Sequence, residues 1–133
     1  MELLASINTT LGKADYMAES TNQTHTWKAD EPLEIGGKNQ GPNPYELLLS
    51  ALTSCSAITM KMYANRKEWP MEGAEIICEL VKEDPNAPYS IRRKIKVLGP
   101  LDAEQKERLI QIANLCPVHK MLNQNTTIIT IAG

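Results

Sequence analysis

Two of the three cysteines in this 133-residue chain stand where a thiol could do chemistry. Cys55 lies inside the uncharged stretch between Glu46 and Lys61, and Cys116 directly precedes Pro117, where a helical pattern ends. Both are expected on inward helix faces, so a sheltered pair of thiols is geometrically reasonable. In a reducing compartment such thiols are free, redox-active or core residues, because an odd cysteine count does not build a disulfide framework.

His119 follows Cys116 by three residues and opens other possibilities. Its simplest interpretation is a helix-end histidine that hydrogen-bonds a carbonyl or carboxylate. Zinc held by Cys55, Cys116 and His119 is possible by ligand type, but a single Cys-x-x-His is a weak signal and no metal is expected. A Cys55–His119 dyad for acyl transfer is a third alternative.

The element that must carry Cys55 is a long helix over residues 41–66. Asn43 as N-cap, Pro44 at the first helical position and Glu46 at the third predict its start. Apolar side chains between residues 47 and 63 point to all sides, which is typical of a buried helix. The uncharged run, residues 47–60, is too short for a membrane span, so no membrane is expected. Burying such a helix on every side predicts a homodimer.

Short strands and one further helix are predicted around it. Cys78 alternates with Ile76 and Leu80 and is therefore expected in the core, whereas Arg93 lies on an otherwise apolar strand face. Asp102 and Gln105 predict the start of the second helix. The predicted strands cover residues 3–9, 14–19, 24–28, 74–82, 90–98 and 126–131, with a glycine- and proline-rich loop over residues 29–43.

Composition limits the partners and the compartment. The length fits one domain, residues 1–133, and the net charge of −2 gives no electrostatic reason to bind nucleic acid. The first residues lack a basic region followed by an apolar segment, so no secretory signal is predicted and a cytoplasmic location is expected.

The run Gly-Gly-Lys-x-x-Gly-Pro-Asn-Pro-Tyr-Glu-Leu-Leu-Leu-Ser-Ala-Leu-Thr-Ser-Cys at 36–55, with Cys-Pro-Val-His at 116–119, resembles the OsmC/Ohr family. The resemblance implies an α+β fold with the order β-β-β-α-β-β-α-β, a long buried central helix and an intertwined homodimer. It also implies a cysteine-based reductase of organic hydroperoxides in oxidative-stress defence. Cys55 would attack the peroxide and form a sulfenic acid, and Cys116 would resolve it as a disulfide. An external dithiol protein would be the reductant, with no bound cofactor.

Two departures from the family pattern mark this chain as a divergent branch. The family arginine ahead of the central helix is missing, since the first arginine is Arg66. Lys38 or Arg93 is a possible substitute that would stabilise a thiolate at Cys55. The family's catalytic glutamate corresponds to Tyr45, so Glu46, one position later, is the candidate carboxylate and is also a capping residue.

The missing arginine motivates an alternative function. The same fold and dimer would serve as a non-catalytic binder of a hydrophobic small molecule. In both interpretations an apolar interface pocket is expected to be lined by Leu48, Leu52 and Met60.

Overall fold

The computed structural model describes all residues from Met1 to Gly133. It is an α+β structure that divides into two compact units, residues 1–48 and 49–133. That residues 1–133 form one domain stays a prediction. The elements are the strands β1 (Asn8–Leu11), β2 (Ala18–Thr21), β3 (Thr26–Ala29), β4 (Gly73–Val81) and β5 (Ser90–Leu98), and the helices α1 (Pro44–Arg66), α2 (Ala103–Ala113) and α3 (Pro117–Leu122), with a 3-10 turn at Leu33–Ile35.

The first unit contains an antiparallel sheet in the order β1-β2-β3. Asn8 pairs with Thr21 and Leu11 pairs with Ala18, so residues 12–17 form the connection between β1 and β2. The first two strands therefore lie several residues later than the sequence pattern indicated. The weak alternation of residues 3–7 has no neighbouring strand to pair with, and all of residues 1–7 are exposed.

A buried carboxylate organises the loop between β3 and α1. Asp30 is only 3% exposed. Its Oδ1 accepts the N–H of Glu31 at 2.8 Å and its Oδ2 accepts the N–H of Gln40 at 3.1 Å. Burial alone would raise the pKa of Asp30, but hydrogen bonds from Gln40, Glu31 and Lys38 and the Lys38 charge lower it overall. The loop therefore holds an ionised carboxylate among backbone donors.

Two glycines let this loop run directly against neighbouring backbone. A Cβ at Gly37 would lie 1.9 Å from the carbonyl oxygen of Glu31, and one at Gly41 would lie 2.4 Å from that of Lys28. No side chain fits at either distance, so the loop requires glycine at both positions.

The predicted ends of α1 are confirmed. Asn43 Oδ1 accepts the N–H of Glu46 at 2.8 Å, and Glu46 Oε1 accepts the N–H of Asn43 at 2.9 Å, which completes a capping box. The helix ends at Arg66, four residues before Pro70, with Glu68 at a φ of 58°.

Within the chain, the burial of α1 is confined to one stripe. Leu52, Ser56, Met60 and Ala64 recur every four residues and are buried. Other sides carry exposed apolar side chains: Leu48 is 39% exposed, Ile58 55% and Met62 67%. Because Leu52 and Met60 are core residues of the chain, the prediction that they line an interface pocket is wrong.

Helix α1 is long and apolar enough to cross a membrane by length and composition. The prediction that it is too short to span was wrong, because the whole helix is 23 residues long and extends past both ends of the uncharged run. Core helices of soluble proteins pass the same test, so one such helix is weak evidence for a membrane.

The second unit is built on the β4–β5 hairpin. Cys78 lies opposite Arg93 in its register, and Ile76 lies opposite Ile95. The less exposed positions alternate along both strands as predicted. Asp102 forms the predicted capping box with Gln105 at the start of α2. The core comprises Met60, Ala64, Met71, Val97, Leu101, Leu109 and Ala113.

The C-terminal residues differ from the predicted order. Residues 126–131 form no strand, and the last element is instead α3. Ile128, Ile129 and Ile131 are each more than 80% exposed. A strand exists only with a hydrogen-bonded neighbour, and this segment has none within the chain.

Candidate functional site

Cys116 occupies a sheltered turn between the last two helices. Helix α2 ends at Ala113, so Cys116 does not extend its apolar face but is the N-cap of α3. Its side chain is fully buried, and its Sγ accepts the N–H of His119 at 3.3 Å. Pro117 begins α3 at a position where its missing N–H costs nothing. The sulfur of this free cysteine is therefore held in part by local backbone.

Ser56 brings the cysteine segment of α1 to this turn. Its side chain is fully buried, and its Oγ lies 3.7 Å from Cys116 Sγ. The Oγ also donates to the carbonyl oxygen of Leu52 at 2.6 Å, the usual partner of a helical serine. Ser56 therefore joins helix α1 to the N-terminus of α3.

Arg93 reaches the same group from the sheet. Its Nη1 donates to Ser56 Oγ at 2.9 Å, and its Nη2 donates to Asn114 Oδ1 at 2.7 Å and to His119 Nδ1 at 3.2 Å. All three partners are neutral acceptors, and no carboxylate lies within salt-bridge distance of Arg93. This partly buried positive charge is thus oriented by three hydrogen bonds but neutralised by none.

The contacts of His119 define its tautomer. Because Arg93 can only donate, His119 Nδ1 must accept, and the proton of the neutral ring is on Nε2. Nε2 lies 3.2 Å from Asn123 Nδ2, and this tautomer requires the amide group to be turned so that its oxygen accepts there. Burial, and then the charge of Arg93, lower the pKa of His119. Both ring nitrogens thus have partners within hydrogen-bond distance, and the Cys55–His119 dyad stays a prediction.

The other two cysteines flank this cluster. Cys55 directly precedes Ser56 in α1, is half-buried and free, and its thiol makes no hydrogen bond within the chain. Cys78 faces Arg93 across the hairpin, and its pKa is raised because burial outweighs the effect of the Arg93 charge. No three His, Cys, Asp or Glu side chains are grouped to hold a metal ion.

Sequence reasoning located part of this site. It identified Cys116 and His119, and it marked Arg93 as a possible cation because of its place on an apolar strand face. Lys38 lies instead beside Asp30 in the first unit. Glu46 is observed as a capping residue, and its catalytic role stays a prediction.

Ser56 and Asn114 were missed. Nothing in the sequence separates these two residues from other serines within helices and other asparagines at helix ends. The one available signal for Ser56 was its spacing of four residues from Leu52 and from Met60, which places it on the buried stripe.

Comparison with known proteins relates most of the chain to one family. The family model described as OsmC-like protein matches residues 37–131. Among curated proteins there is no match. Solved structures of 35 chains do match.

Three of these structures illustrate the similarity. An OsmC like protein from Mycoplasma pneumoniae is 18% identical with a TM-score of 0.77, over 92% of this chain and 89% of the other. An organic hydroperoxide resistance protein OsmC from Legionella pneumophila is 19% identical with a TM-score of 0.68, over 93% of each chain. An organic hydroperoxide resistance protein from Elizabethkingia anophelis is 18% identical with a TM-score of 0.68, over 94% of this chain and 93% of the other. At these identities the likeness shows a shared fold.

Proposed function

The chain belongs to the OsmC-like protein family, and we propose that it is a thiol-dependent peroxidase that reduces organic hydroperoxides in oxidative-stress defence. The names of two similar structures, organic hydroperoxide resistance proteins, support a role in redox stress. The proposed location is the cytoplasm, where a reducing environment keeps the thiols available.

One observation carries the proposal. Ser56, the residue that follows Cys55, contacts the sulfur of Cys116 at 3.7 Å. Consecutive Cα atoms are only about 3.8 Å apart, so the contact brings the Cys55 segment of α1 to the buried Cys116. Both cysteines are free thiols in this structure. This arrangement suits a reaction that begins at the half-buried thiol and ends with the buried one.

The proposed reaction has two chemical steps and one reductive step. The Cys55 thiolate attacks one oxygen of the hydroperoxide and the O–O bond breaks. The proton that left the thiol goes to the leaving alkoxide, so the products are a sulfenic acid at Cys55 and an alcohol. Cys116 then displaces the sulfenic oxygen as water and forms a disulfide. An external dithiol protein restores the two thiols by exchange. Glu46 is proposed as a third catalytic residue, in addition to its capping role.

The proposed assembly is a homodimer. Ile58 and Met62 expose apolar surface on α1, and Ile128, Ile129 and Ile131 do so near the C-terminus. A two-fold axis would bury the same surface from each subunit, and each large aliphatic side chain so buried contributes about 1.5–3 kcal/mol. The C-terminal segment would find in a second copy the strand neighbour that it lacks within the chain.

The test is intact-mass measurement after one equivalent of cumene hydroperoxide. We expect the wild type to lose two hydrogens, and we expect Cys55→Ser and Cys116→Ser each to abolish that loss. Dithiothreitol should restore the mass and support turnover. An unchanged wild-type mass, with no peroxide consumed, would overturn the proposal.

The alternative, a non-catalytic binder of a hydrophobic small molecule, has one observation in its favour. The Cys55 thiol makes no hydrogen bond that would stabilise a thiolate, and exposed apolar side chains lie on the same helix. Unchanged mass together with saturable binding of an environment-sensitive apolar dye would favour this function.

A further inference from the structure

The polar cluster of the second unit is directed at Cys116 rather than at Cys55. Arg93, Ser56 and the backbone N–H of His119 form a continuous set of contacts that ends on the Cys116 sulfur. Resting on the proposed peroxidase reaction, we propose that Ser56 is a catalytic residue of the disulfide-forming step and that Arg93 is its positioning residue. In this chain the partly buried Arg93 guanidinium thus assists disulfide formation, the second chemical step.

The hydrogen-bond inventory of Ser56 supports this role. A hydroxyl has one proton and two acceptor sites. Its proton is directed to the carbonyl oxygen of Leu52, and one acceptor site takes the N–H of Arg93. The remaining acceptor site is therefore the one that takes the S–H of Cys116. When Cys116 loses its proton, the Ser56 hydroxyl can turn from Leu52 to the sulfur and donate to the thiolate.

The step balances without any further reactant. The Cys116 sulfur attacks the Cys55 sulfur, the S–S bond forms and the S–O bond of the sulfenic acid breaks. The leaving hydroxide takes the proton that left Cys116, and water is released. Ser56 holds the Cys116 sulfur through a hydrogen bond in both protonation states and is itself unchanged at the end.

Arg93 holds the Ser56 hydroxyl in place through its hydrogen bond to Oγ. Its partners Ser56, Asn114 and His119 are neutral, so its charge is free to favour a negative charge that develops nearby. A carboxylate partner would cancel that effect. The exposed Arg92, one residue earlier, pairs with Glu83 at 3.3 Å and provides the contrast.

The experiment separates the two chemical steps in a single turnover. Reduced protein is mixed with one equivalent of cumene hydroperoxide and quenched at intervals with dimedone, which traps the Cys55 sulfenic acid. Mass spectrometry then counts trapped sulfenic acid and disulfide. In Ser56→Ala we expect disulfide formation to slow about tenfold or more. The first step should still consume the peroxide, so sulfenic acid should accumulate.

Two matched controls belong to this experiment. Ser54 lies two residues away on α1, is exposed, and also donates to a helix carbonyl, that of Ser50, at 2.7 Å. Ser54→Ala should form the disulfide at the wild-type rate. Arg93→Gln should slow disulfide formation and move its pH profile to higher pH, whereas Arg92→Gln should do neither.

The outcomes distinguish this inference from the function on which it rests. No sulfenic acid and no disulfide in the wild type would overturn the peroxidase itself. A working wild type with disulfide formation unchanged in Ser56→Ala would overturn the role of Ser56 alone. If Ser56→Ala does not fold, the Arg93→Gln pH profile decides, and an unshifted profile would overturn the inference.

Discussion

Arg93 on β5 and Ser56 on α1 are joined by a hydrogen bond of 2.9 Å between Nη1 and Oγ. The bond connects the inner face of the hairpin with the buried stripe of the helix, at the point where the helix carries its cysteine. Apolar residues occupy the neighbouring inner positions of β5, Ile91 and Ile95. A charged side chain there is retained because neutral acceptors satisfy its hydrogen bonds.

His119 should make the stability depend on pH. Its pKa is lowered in the folded chain, so the unfolded chain takes up the proton first as the pH falls below the ordinary value of 6.5. The unfolded state then binds more protons, and the free energy of unfolding decreases with falling pH. Urea titrations at about pH 7.5 and about pH 5.5, which lie on either side of the unperturbed pKa, measure this effect.

The non-titrating variant is the control for that prediction. His119→Gln keeps an acceptor for Arg93 and should lose much of the pH dependence, whereas His25→Gln, in an exposed turn, should keep it. Identical pH slopes for wild type and His119→Gln would contradict the assignment.

Cys78 should react slowly with alkylating reagents. Its pKa is raised, so little thiolate is present near neutral pH. Iodoacetamide labelling followed by peptide mass spectrometry should show slower modification of Cys78 in the folded than in the unfolded protein. Since the Arg93 charge opposes the effect of burial, Arg93→Gln should slow it further, and an increase would be evidence against this account.

Glu46 combines two roles that one substitution can separate. Glu46→Gln keeps the Oε1 acceptor for Asn43 but removes the charge. We expect it to retain the wild-type stability and to lose peroxidase rate, whereas Glu46→Ala should also lose about 0.5–1 kcal/mol of stability. Chemical denaturation and steady-state peroxide consumption measure both. A wild-type rate in Glu46→Gln would assign the residue to capping alone.

The proposed dimer depends on the exposed side of α1. The wild type should sediment as a dimer, and Ile58→Lys should weaken the association, because Ile58 is 55% exposed in the chain. Leu52→Lys is the contrasting variant. Leu52 is 4% exposed, so a charge there should unfold the chain rather than release a monomer. A wild type that sediments as a monomer of 14.8 kDa at micromolar concentration would refute the dimer.

Local signals predicted the helices well because their causes are local. The capping residues of α1 and α2, at Asn43 and Asp102, act within four residues of the chain, so the sequence contains both partners of each bond. The β4–β5 hairpin was equally accessible, since its alternation and its turn lie in one continuous stretch.

The features that sequence missed depend on partners distant in the chain. The contact between Ser56 and Cys116 spans 60 positions, and that between Arg93 and Ser56 spans 37. The segment 126–131 is apolar enough for a strand, but its sequence does not show whether a neighbouring strand is available for pairing. The site was therefore predicted in part. Its cysteines could be identified by residue type, whereas its Ser56 hydroxyl and Asn114 amide could be identified only from the fold.

The loop glycines affect how a mutational scan of this protein is interpreted. Every side chain at position 37 collides with the Glu31 carbonyl, and every one at position 41 collides with that of Lys28, so nearly all substitutions there should reduce the yield of folded protein. In an assay of cell survival under peroxide, both positions would score as sensitively as the cysteines themselves. Such a fitness map therefore needs a parallel abundance measurement before any position is assigned to chemistry.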